Sequence, residues 1–261
     1  MDTALRASSP PLISVVTACL NSERHIGQTL RSVFEQQGVS CEHVIADGGS
    51  TDGTLLIVEA QLRPGGRWNS EPDRGIADAM NKGIALAGGE WLLFLQSDDY
   101  LCDPTVLARA SSHFTPDLDI CGFPVLFGSE NAAVAMRPRG AGFWLNFKTG
   151  LNHQGTFIRR SLFERVGLYD TNFRIAMDYE FFLRAYRAGA RFACHPDPVI
   201  ALMRDTGISS QLDWPNLKRR FDEERRVHRK FQTAALAPFY STWWATYPRY
   251  RQLRSRFAAP R

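Results

Sequence analysis

Cysteine is scarce in this sequence, and its arrangement argues against two kinds of site. Five cysteines are spread over 261 residues without a Cys-x-x-Cys pair. An odd number of scattered cysteines favours neither a disulfide framework nor a zinc site. We therefore expect reduced, mostly buried thiols in a cytoplasmic protein.

Long apolar runs are also absent. No stretch of 18 apolar residues could span a bilayer, and residues 1–10 lack the apolar segment of a secretory signal peptide. Hydrophobic residues make up 44% of the chain and charged residues 22%. This composition is typical of a soluble globular chain with one large domain, with or without an appendage.

Acidic residues are rare in the C-terminal segment, and the net charge of this segment is opposite in sign to that of the rest of the chain. From Trp214 to Arg261 there are twelve lysines and arginines against three aspartates and glutamates, so this segment carries +9 and the first 213 residues carry −5. The segment also interleaves arginines with aromatic residues. A basic surface of this kind indicates an anionic partner.

Strand and helix patterns alternate through the first hundred residues. Apolar and β-branched runs predict strands at 12–18, 41–46, 67–70 and 91–95, with helices between them. Alternation with short loops implies parallel strands and right-handed crossovers. Ligands of such sheets bind beyond the carboxyl ends of the strands.

Four aspartates follow these predicted strand ends and can converge on one ligand: Asp47, Asp73, Asp98 and Asp99. The last two are adjacent, and paired carboxylates are suited to hold a divalent cation. Aspartates are also common caps of a following helix, so from this segment alone the two interpretations are about equally supported.

Four motifs in order resemble family 2 glycosyltransferases, which have the GT-A fold. They are Ser-Val-Val-Thr-Ala-Cys-Leu-Asn at 14–21, Ala-Asp-Gly-Gly-Ser-Thr-Asp-Gly at 46–53, Glu-Pro-Asp-Arg-Gly-Ile-Ala-Asp-Ala-Met-Asn-Lys-Gly at 71–83 and Gln-Ser-Asp-Asp at 96–99. The resemblance covers roughly residues 10 to 210. It implies an α/β fold with a mostly parallel central sheet flanked by helices. Within the family, the chain looks most like bacterial enzymes that build exopolysaccharide, O-antigen or glycolipid glycans.

The resemblance implies a set of residues that contact a nucleotide-diphosphate sugar: Thr17, Asn21, Asp47, Asp73, Arg74, Asn81, Gln96 and Asp99. Asp47 would accept a hydrogen bond from the base, and Arg74 would lie near the diphosphate. Asn81 is equally well explained as a polar residue on a helix face. Gln96 replaces the first aspartate of the family's Asp-x-Asp motif, so Asp98 becomes the expected ligand of Mn²⁺ or Mg²⁺.

The same resemblance implies a catalytic base at Asp178, where Ala-Met-Asp-Tyr-Glu at 176–180 opens a helix. A carboxylate in the first turn is also favoured by the helix dipole, which is its structural explanation. His153 and Gln154 match a segment near the acceptor, although His153 is equally well explained as a structural hydrogen-bonding residue. With Asp178 as base, the expected reaction is inverting transfer to a glycan or lipid-linked acceptor.

The domain organisation that we predict is an N-terminal extension at 1–10, a GT-A domain at 11–212 with donor half 11–103 and acceptor half 104–212, and a helical, basic and aromatic tail at 213–261. The tail fits either a helical cap on the domain or a contact with the inner face of the plasma membrane. No nucleic-acid-binding module is recognisable.

The sequence leaves two alternatives to a glycosyltransferase. The first is a non-catalytic nucleotide-sugar-binding module, which the replacement at Gln96 would permit. The second, a dinucleotide-binding oxidoreductase, is weaker. It needs a Gly-x-Gly-x-x-Gly turn after the first strand, and residues 17–22 contain no glycine.

Overall fold

The computed structural model describes residues 10–205 and 213–257, with side chains to residue 253. Most of the predicted extension at 1–10, the junction at 206–212 and the last residues of the predicted tail therefore lie outside the described residues. The strands are β1 (Ile13–Cys19), β2 (Cys41–Asp47), β3 (Arg67–Ser70), β4 (Trp91–Phe94), β5 (Tyr100–Leu101), β6 (Ile120–Gly122), β7 (Val125–Phe127), β8 (Val134–Met136), β9 (Thr156–Arg159), β10 (Phe192–Cys194) and β11 (Ala201–Met203). The helices are α1 (Ile26–Phe34), α2 (Thr54–Gln61), α3 (Ile76–Leu86), α4 (Val106–Ser111), α5 (Arg160–Val166), α6 (Met177–Arg187), α7 (Trp214–Lys230) and α8 (Ala237–Phe257).

The main sheet has seven strands in the order β10-β6-β9-β4-β1-β2-β3. Pairs β1–β2, β2–β3, β1–β4 and β6–β10 are parallel, whereas β9 runs antiparallel between β4 and β6. The predicted alternation of strands and helices over the first hundred residues is confirmed. As a result, the carboxyl ends of β1, β2, β3 and β4 lie along one edge.

Apolar cores cover both faces of this sheet. Alternate residues of β4 point to opposite sides, with Leu92 and Phe94 in one core and Trp91 and Leu93 in the other. All four are buried, as expected for a central strand of a sheet covered on both sides. The polar Gln-Ser-Asp-Asp segment at 96–99 follows β4 after a single residue, so it lies at the carboxyl edge of the sheet.

A second, four-stranded sheet has the order β5-β11-β7-β8. The apolar stretch at 118–127 is divided between the two sheets, since β6 belongs to the first and β7 to the second. The chain changes sheets at Phe123 and Pro124, between these two strands.

The C-terminal helices pack on the domain. Val227 of α7 lies in the same core as α6, and Tyr240 of α8 packs with Phe147. His228 is almost fully buried and joins three segments, because its ring bonds to the Tyr179 hydroxyl (2.9 Å), the Phe147 carbonyl (3.2 Å) and the Trp244 indole N–H (2.9 Å). Among the described helices, none has the length and apolarity needed to cross a membrane.

Candidate active site

The loop after β1 is tied to the loop after β2 by Asn21. Its backbone N–H donates to Ser50 Oγ (2.8 Å), and its side-chain Oδ1 accepts from the Thr51 N–H (2.9 Å). Asn21 has a φ of +49°, among described residues the sole non-glycine with a positive φ. Asparagine tolerates this left-handed conformation better than most residues. An asparagine at position 21 therefore suits both the turn after β1 and the hydrogen bonds to the loop after β2.

Asp47, at the end of β2, organises the loop that follows it. Its carboxylate accepts hydrogen bonds from the N–H groups of Gly49 (2.9 Å) and Ser50 (2.8 Å) and from the hydroxyls of Ser50 and Ser70. Burial alone would raise the pKa of Asp47, but these hydrogen bonds outweigh it and lower the pKa. Asp47 is thus a buried carboxylate engaged with its own loop. Its contact with a nucleotide base remains a prediction.

Asp73 lies against the Asp47 loop. A Cβ placed on Gly48 would come within 2.3 Å of Asp73 Oδ2, so the approach of the two segments requires glycine there. Asp73 Oδ1 accepts from the Gly75 N–H (2.8 Å). Arg74 is exposed and pairs with Asp78 at 3.1 Å on α3. The ends of β2 and β3 therefore meet at one point, as predicted.

Asp98 and Asp99 have different environments although they are adjacent. Asp98 is half-buried, and its carbonyl accepts from the Arg204 guanidinium. Asp99 is buried, and its carboxylate accepts from the Gln154 amide (2.8 Å) and the Arg204 backbone N–H (2.9 Å). Burial and the neighbouring charge of Asp98 raise the pKa of Asp99 to about 7. Gln96, also half-buried, closes the turn by accepting the Asp99 N–H on its backbone carbonyl (3.1 Å).

The structure brings both predicted acceptor residues next to this turn. Gln154 contacts Asp99 directly. The ring of His153 stacks on Phe94, with ring centroids 4.7 Å apart, and its Nε2 lies 2.6 Å from the Tyr169 hydroxyl. Burial lowers the pKa of His153 to about 3. His153 is therefore a neutral, buried residue with a hydrogen bond inside the protein, and its contact with an acceptor remains a prediction.

Thr17 and Asn81 both make hydrogen bonds to other parts of the protein. Thr17 is fully buried and its hydroxyl bonds to His43 Nε2 (2.9 Å). Asn81 on α3 binds the backbone of Tyr169 in both directions, at 2.9 and 3.0 Å. Direct contact of these two side chains with a nucleotide stays a prediction. Thr17 joins β1 to β2, and Asn81 connects the first half of the chain to the second.

Asp178 lies in the first turn of α6 and is half-buried. Burial raises the pKa of this carboxyl to about 6, while the Tyr179 N–H and the positive charge of Arg220 act in the opposite direction. Asp178 in turn raises the pKa of Tyr169, after burial. A chain of contacts thus leads from the Asp98–Asp99 turn through Gln154, His153 and Tyr169 to the vicinity of Asp178.

The donor set determines what kind of metal the site suits. Within residues 10–205 and 213–257, no group of three or more His, Cys, Asp or Glu side chains is arranged to hold a metal ion. A dedicated protein cage is not what Mg²⁺ or Mn²⁺ requires, since one or two carboxylates plus substrate phosphates suffice. Asp98 supplies one such carboxylate beside the strand ends. The residues present fit a cation that is held largely by a bound diphosphate.

Comparison with known proteins identifies the family. The model of "Glycosyl transferase family 2" matches residues 14–187, more than half of the chain and all of the elements just described up to α6. The chain belongs to this family. The predicted family and fold are confirmed, and the dinucleotide-binding alternative has no support.

Two groups of curated mycobacterial relatives resemble this family 2 glycosyltransferase. An uncharacterised glycosyltransferase of Mycobacterium tuberculosis is 34% identical over 233 residues, which cover 84% of this chain and 86% of the relative. A PGL/p-HBAD biosynthesis glycosyltransferase of Mycobacterium bovis is 33% identical over 207 residues, covering 76% and 78%.

Solved structures show the same fold at lower identity. Staphylococcus aureus TarS has a TM-score of 0.63 and 21% identity, covering 82% of this glycosyltransferase and 38% of the TarS chain. A mannosyltransferase from Pyrobaculum calidifontis, solved with GDP-Man and Mn²⁺, has a TM-score of 0.69 and 16% identity, covering 97% and 77%. A TarS fragment has been solved with UDP-GlcNAc.

Several residues around the site were not singled out from the sequence: Tyr169, Arg204, Arg220, Glu223 and Glu224. Each reaches the site from a segment that is remote in sequence. Arg204, for example, lies 106 positions from Asp98. No sequence motif predicts such residues, because their contacts depend on how elements distant in sequence pack together.

Proposed function

We propose that this protein is an inverting glycosyltransferase of bacterial cell-surface polysaccharide or glycolipid synthesis. It would transfer a sugar from a nucleoside-diphosphate sugar to a hydroxyl of a glycan or lipid-linked acceptor. The observation that carries the proposal is the continuous set of contacts between the strand-end loops and the α6 start, with a half-buried carboxylate, Asp178, at its far end. The relatives named for PGL/p-HBAD biosynthesis support an acceptor of the glycolipid class.

In this mechanism Asp178 is the general base. Its pKa of about 6 leaves it mostly ionised at neutral pH yet more basic than an ordinary carboxylate, which suits removal of a proton from an attacking hydroxyl. Single displacement needs no covalent enzyme intermediate and therefore no nucleophilic side chain. On the opposite side of the donor, Asp73, Arg74 and Asp98 would bind the nucleoside diphosphate, with Asp47 and Asn21 shaping the loop that receives its base.

A divalent cation, when bound, would neutralise charge on the departing diphosphate. Asp98 would be its protein ligand, and Gln96 would bond to the ribose or to a metal-bound water. Asp99 is occupied by Gln154 and Arg204, so we assign it the role of joining the donor turn to the acceptor half. The Mn²⁺ in the mannosyltransferase structure supports use of this class of ion.

Nucleotide titration tests the donor assignment. Purified protein is titrated by calorimetry with UDP, GDP and dTDP, each with and without Mn²⁺. We expect one nucleotide to bind, and to bind more tightly with the metal. Absence of binding by all three would contradict the donor site. Normal nucleotide binding with unchanged transfer by Asp178→Asn would instead contradict Asp178 as the base, and binding without transfer to any acceptor would favour the non-catalytic alternative.

The C-terminal helices would also bring the enzyme to its lipid-linked acceptor. Phe143, Trp144 and Phe239 are 57%, 72% and 55% exposed and border an apolar recess of about 500 Å³ between the 143–147 segment and α8. Arg249 lies exposed on the same helix. Exposed aromatic rings and arginines on one helix are typical of a segment that contacts anionic lipid headgroups.

Vesicle binding tests this membrane contact. We expect the protein to sediment with phosphatidylglycerol-containing vesicles, and the double variant Trp144→Ala with Phe239→Ala to lose most of this binding. Phe34→Ala removes an equally exposed aromatic residue (53%) from α1 and is the matched control. Equal binding by the double variant and the control would contradict the proposed contact.

A further inference from the structure

Three consecutive backbone N–H groups before α6 meet one carboxylate from another helix. Glu223 of α7 accepts hydrogen bonds from the N–H groups of Arg174 (3.0 Å), Ile175 (2.7 Å) and Ala176 (2.9 Å). The N-cap residue of α6 is Ala176, whose side chain cannot cap. Glu223 therefore holds, from α7, the three residues that lead into α6, the last of which is the N-cap residue of the helix.

This contact fixes the position of Asp178. The carboxylate lies two residues beyond Ala176, so its location depends on where α6 begins and in which direction its first turn points. Glu223 is only 13% exposed, and Arg226 flanks it at 3.6 Å. A misplacement of about 1 Å at a reacting group can reduce the rate by about 100-fold. A small shift of the first turn of α6 would therefore slow the transfer step.

Two further charged residues of α7 lie close in sequence to Glu223 and act on Asp178 through their charge. Arg220 and Glu224, one turn apart, form an ion pair with Nε to Oε1 at 3.0 Å, and Glu224 is buried. The charge of Arg220 lowers the pKa of Asp178 and the charge of Glu224 raises it. Reciprocally, burial would lower the pKa of Arg220, but the charges of Glu224 and Asp178 raise it. Asp178 also acts on Tyr169, whose pKa it raises in addition to burial.

We propose that α7 is part of the active site, with Glu223 as a positioning residue that holds the segment leading into α6 and with the Arg220–Glu224 ion pair as charged neighbours of Asp178. All three residues lie beyond residues 14–187, the part matched by the family model. The proposal rests on the proposed role of Asp178 as general base, but its electrostatic part can be measured without any substrate.

The charged pair is tested by titrating the Asp178 carboxyl with ¹³C NMR in protein labelled at aspartate, with Asp178→Asn to assign the signal. We expect Arg220→Met to raise the pKa of Asp178 and Glu224→Gln to lower it, each by about one unit. Arg220→Lys keeps the positive charge and should move the pKa less than Arg220→Met. Should Arg220→Met fail to fold, Glu224→Gln and Arg220→Lys still decide the question.

Asp222→Asn is the matched control, because Asp222 is exposed on the same helix next to Glu223. It should leave the pKa of Asp178 unchanged. Opposite shifts for Arg220→Met and Glu224→Gln would support the proposal, since a general loss of structure cannot move one pKa in two directions. Absence of a shift in Glu224→Gln, or shifts of the same sign, would overturn it.

Glu223 is tested by hydrogen exchange and by kinetics. We expect Glu223→Gln to speed amide exchange at 174–176 and to reduce kcat about 10- to 100-fold, with the donor KM and nucleotide affinity unchanged. The assay uses the sugar nucleotide selected by titration and a lipid extract of the source organism as acceptor. Wild-type kcat in Glu223→Gln would overturn the positioning role. If Asp178→Asn were also fully active, the assignment of Asp178 as base would fail instead, and absence of nucleotide binding and transfer in the wild type would contradict the proposed function, so the failures are distinguishable.

Discussion

The loops at the strand ends and the surroundings of Asp178 are held in place by different kinds of contact. Asp47 is bonded by groups two and three positions away in sequence, and Asn21 by groups 29 and 30 positions away on the adjacent strand end. The start of α6 is held by Glu223, 47 to 49 positions away on a separate helix. The loops after β1 and β2 are therefore organised within a parallel-strand unit, whereas the base depends on docking of a C-terminal helix.

This difference explains why the two regions should respond differently to substitution. Changes at the strand ends should act on nucleotide binding, because those loops form with the sheet itself. Changes near α6 should act on the transfer step and leave nucleotide affinity intact. Substitutions in the two regions should therefore separate effects on nucleotide affinity from effects on the transfer rate.

The largest expected effect is that of Asp178→Asn on transfer. Loss of a general base reduces a rate by about 100- to 10,000-fold, whereas nucleotide affinity should stay unchanged because Asp178 belongs to the other region. Steady-state kinetics and calorimetry on the same preparation check both parts. Glu164→Gln, on the exposed surface of α5 with a side chain that is 72% exposed, should behave like wild type. Weakened nucleotide binding in Asp178→Asn would break the separation between the regions.

The reciprocal effect is expected for Asp98→Ala. Removal of the proposed metal ligand should abolish the strengthening of nucleotide binding by Mn²⁺, a loss of about 10- to 100-fold in affinity with metal present, and should leave the metal-free affinity nearly unchanged. Titrations with and without Mn²⁺ measure this directly. Asp117→Asn, an exposed aspartate on the opposite half of the chain, is the control. An undiminished response to Mn²⁺ in Asp98→Ala would contradict the ligand assignment.

The pH dependence of transfer should follow Asp178. A general base must be ionised, and its pKa is raised to about 6, so kcat should be constant well above pH 6 and fall about tenfold per unit below it. The rate of the chemical step is measured between pH 4.5 and 8.5, with nucleotide affinity followed in parallel. An acidic limb centred near pH 4 would show an unperturbed carboxyl and would argue against the buried environment described for Asp178.

The smallest effect is expected at Asn21. Asn21→Ala removes the bond from the Thr51 N–H and places alanine at a positive φ, which costs about 1–2 kcal/mol. Nucleotide affinity should fall a few-fold. Asn21→Gly loses the same bond but tolerates the conformation, so thermal unfolding should rank it between Asn21→Ala and wild type. If Asn21→Ala reduced kcat but spared nucleotide affinity, the strand-end loops would not be the independent unit described here.

The tail illustrates how the two expectations from the sequence combine. Its aromatic residues were expected either to pack on the domain or to meet a membrane. Tyr240 is buried against Phe147 and His228, while Phe239, its immediate neighbour, is exposed. One face of α8 therefore packs on the rest of the protein, and another is exposed, where the proposed lipid contact would form.

The sequence alone determined the strands of the first hundred residues, the family, and the placement of polar segments after the strand ends, because each depends on periodicity and on motifs a few residues long. Asp178 could be proposed from the segment 176–180 in the same way. The sequence could not determine that Gln154 bonds to Asp99, that Asn81 binds the Tyr169 backbone, or that Glu223 holds the segment leading into α6. Those contacts join residues 47 to 88 positions apart, and only the packing of β9, α6 and α7 around the sheet brings them within hydrogen-bonding distance.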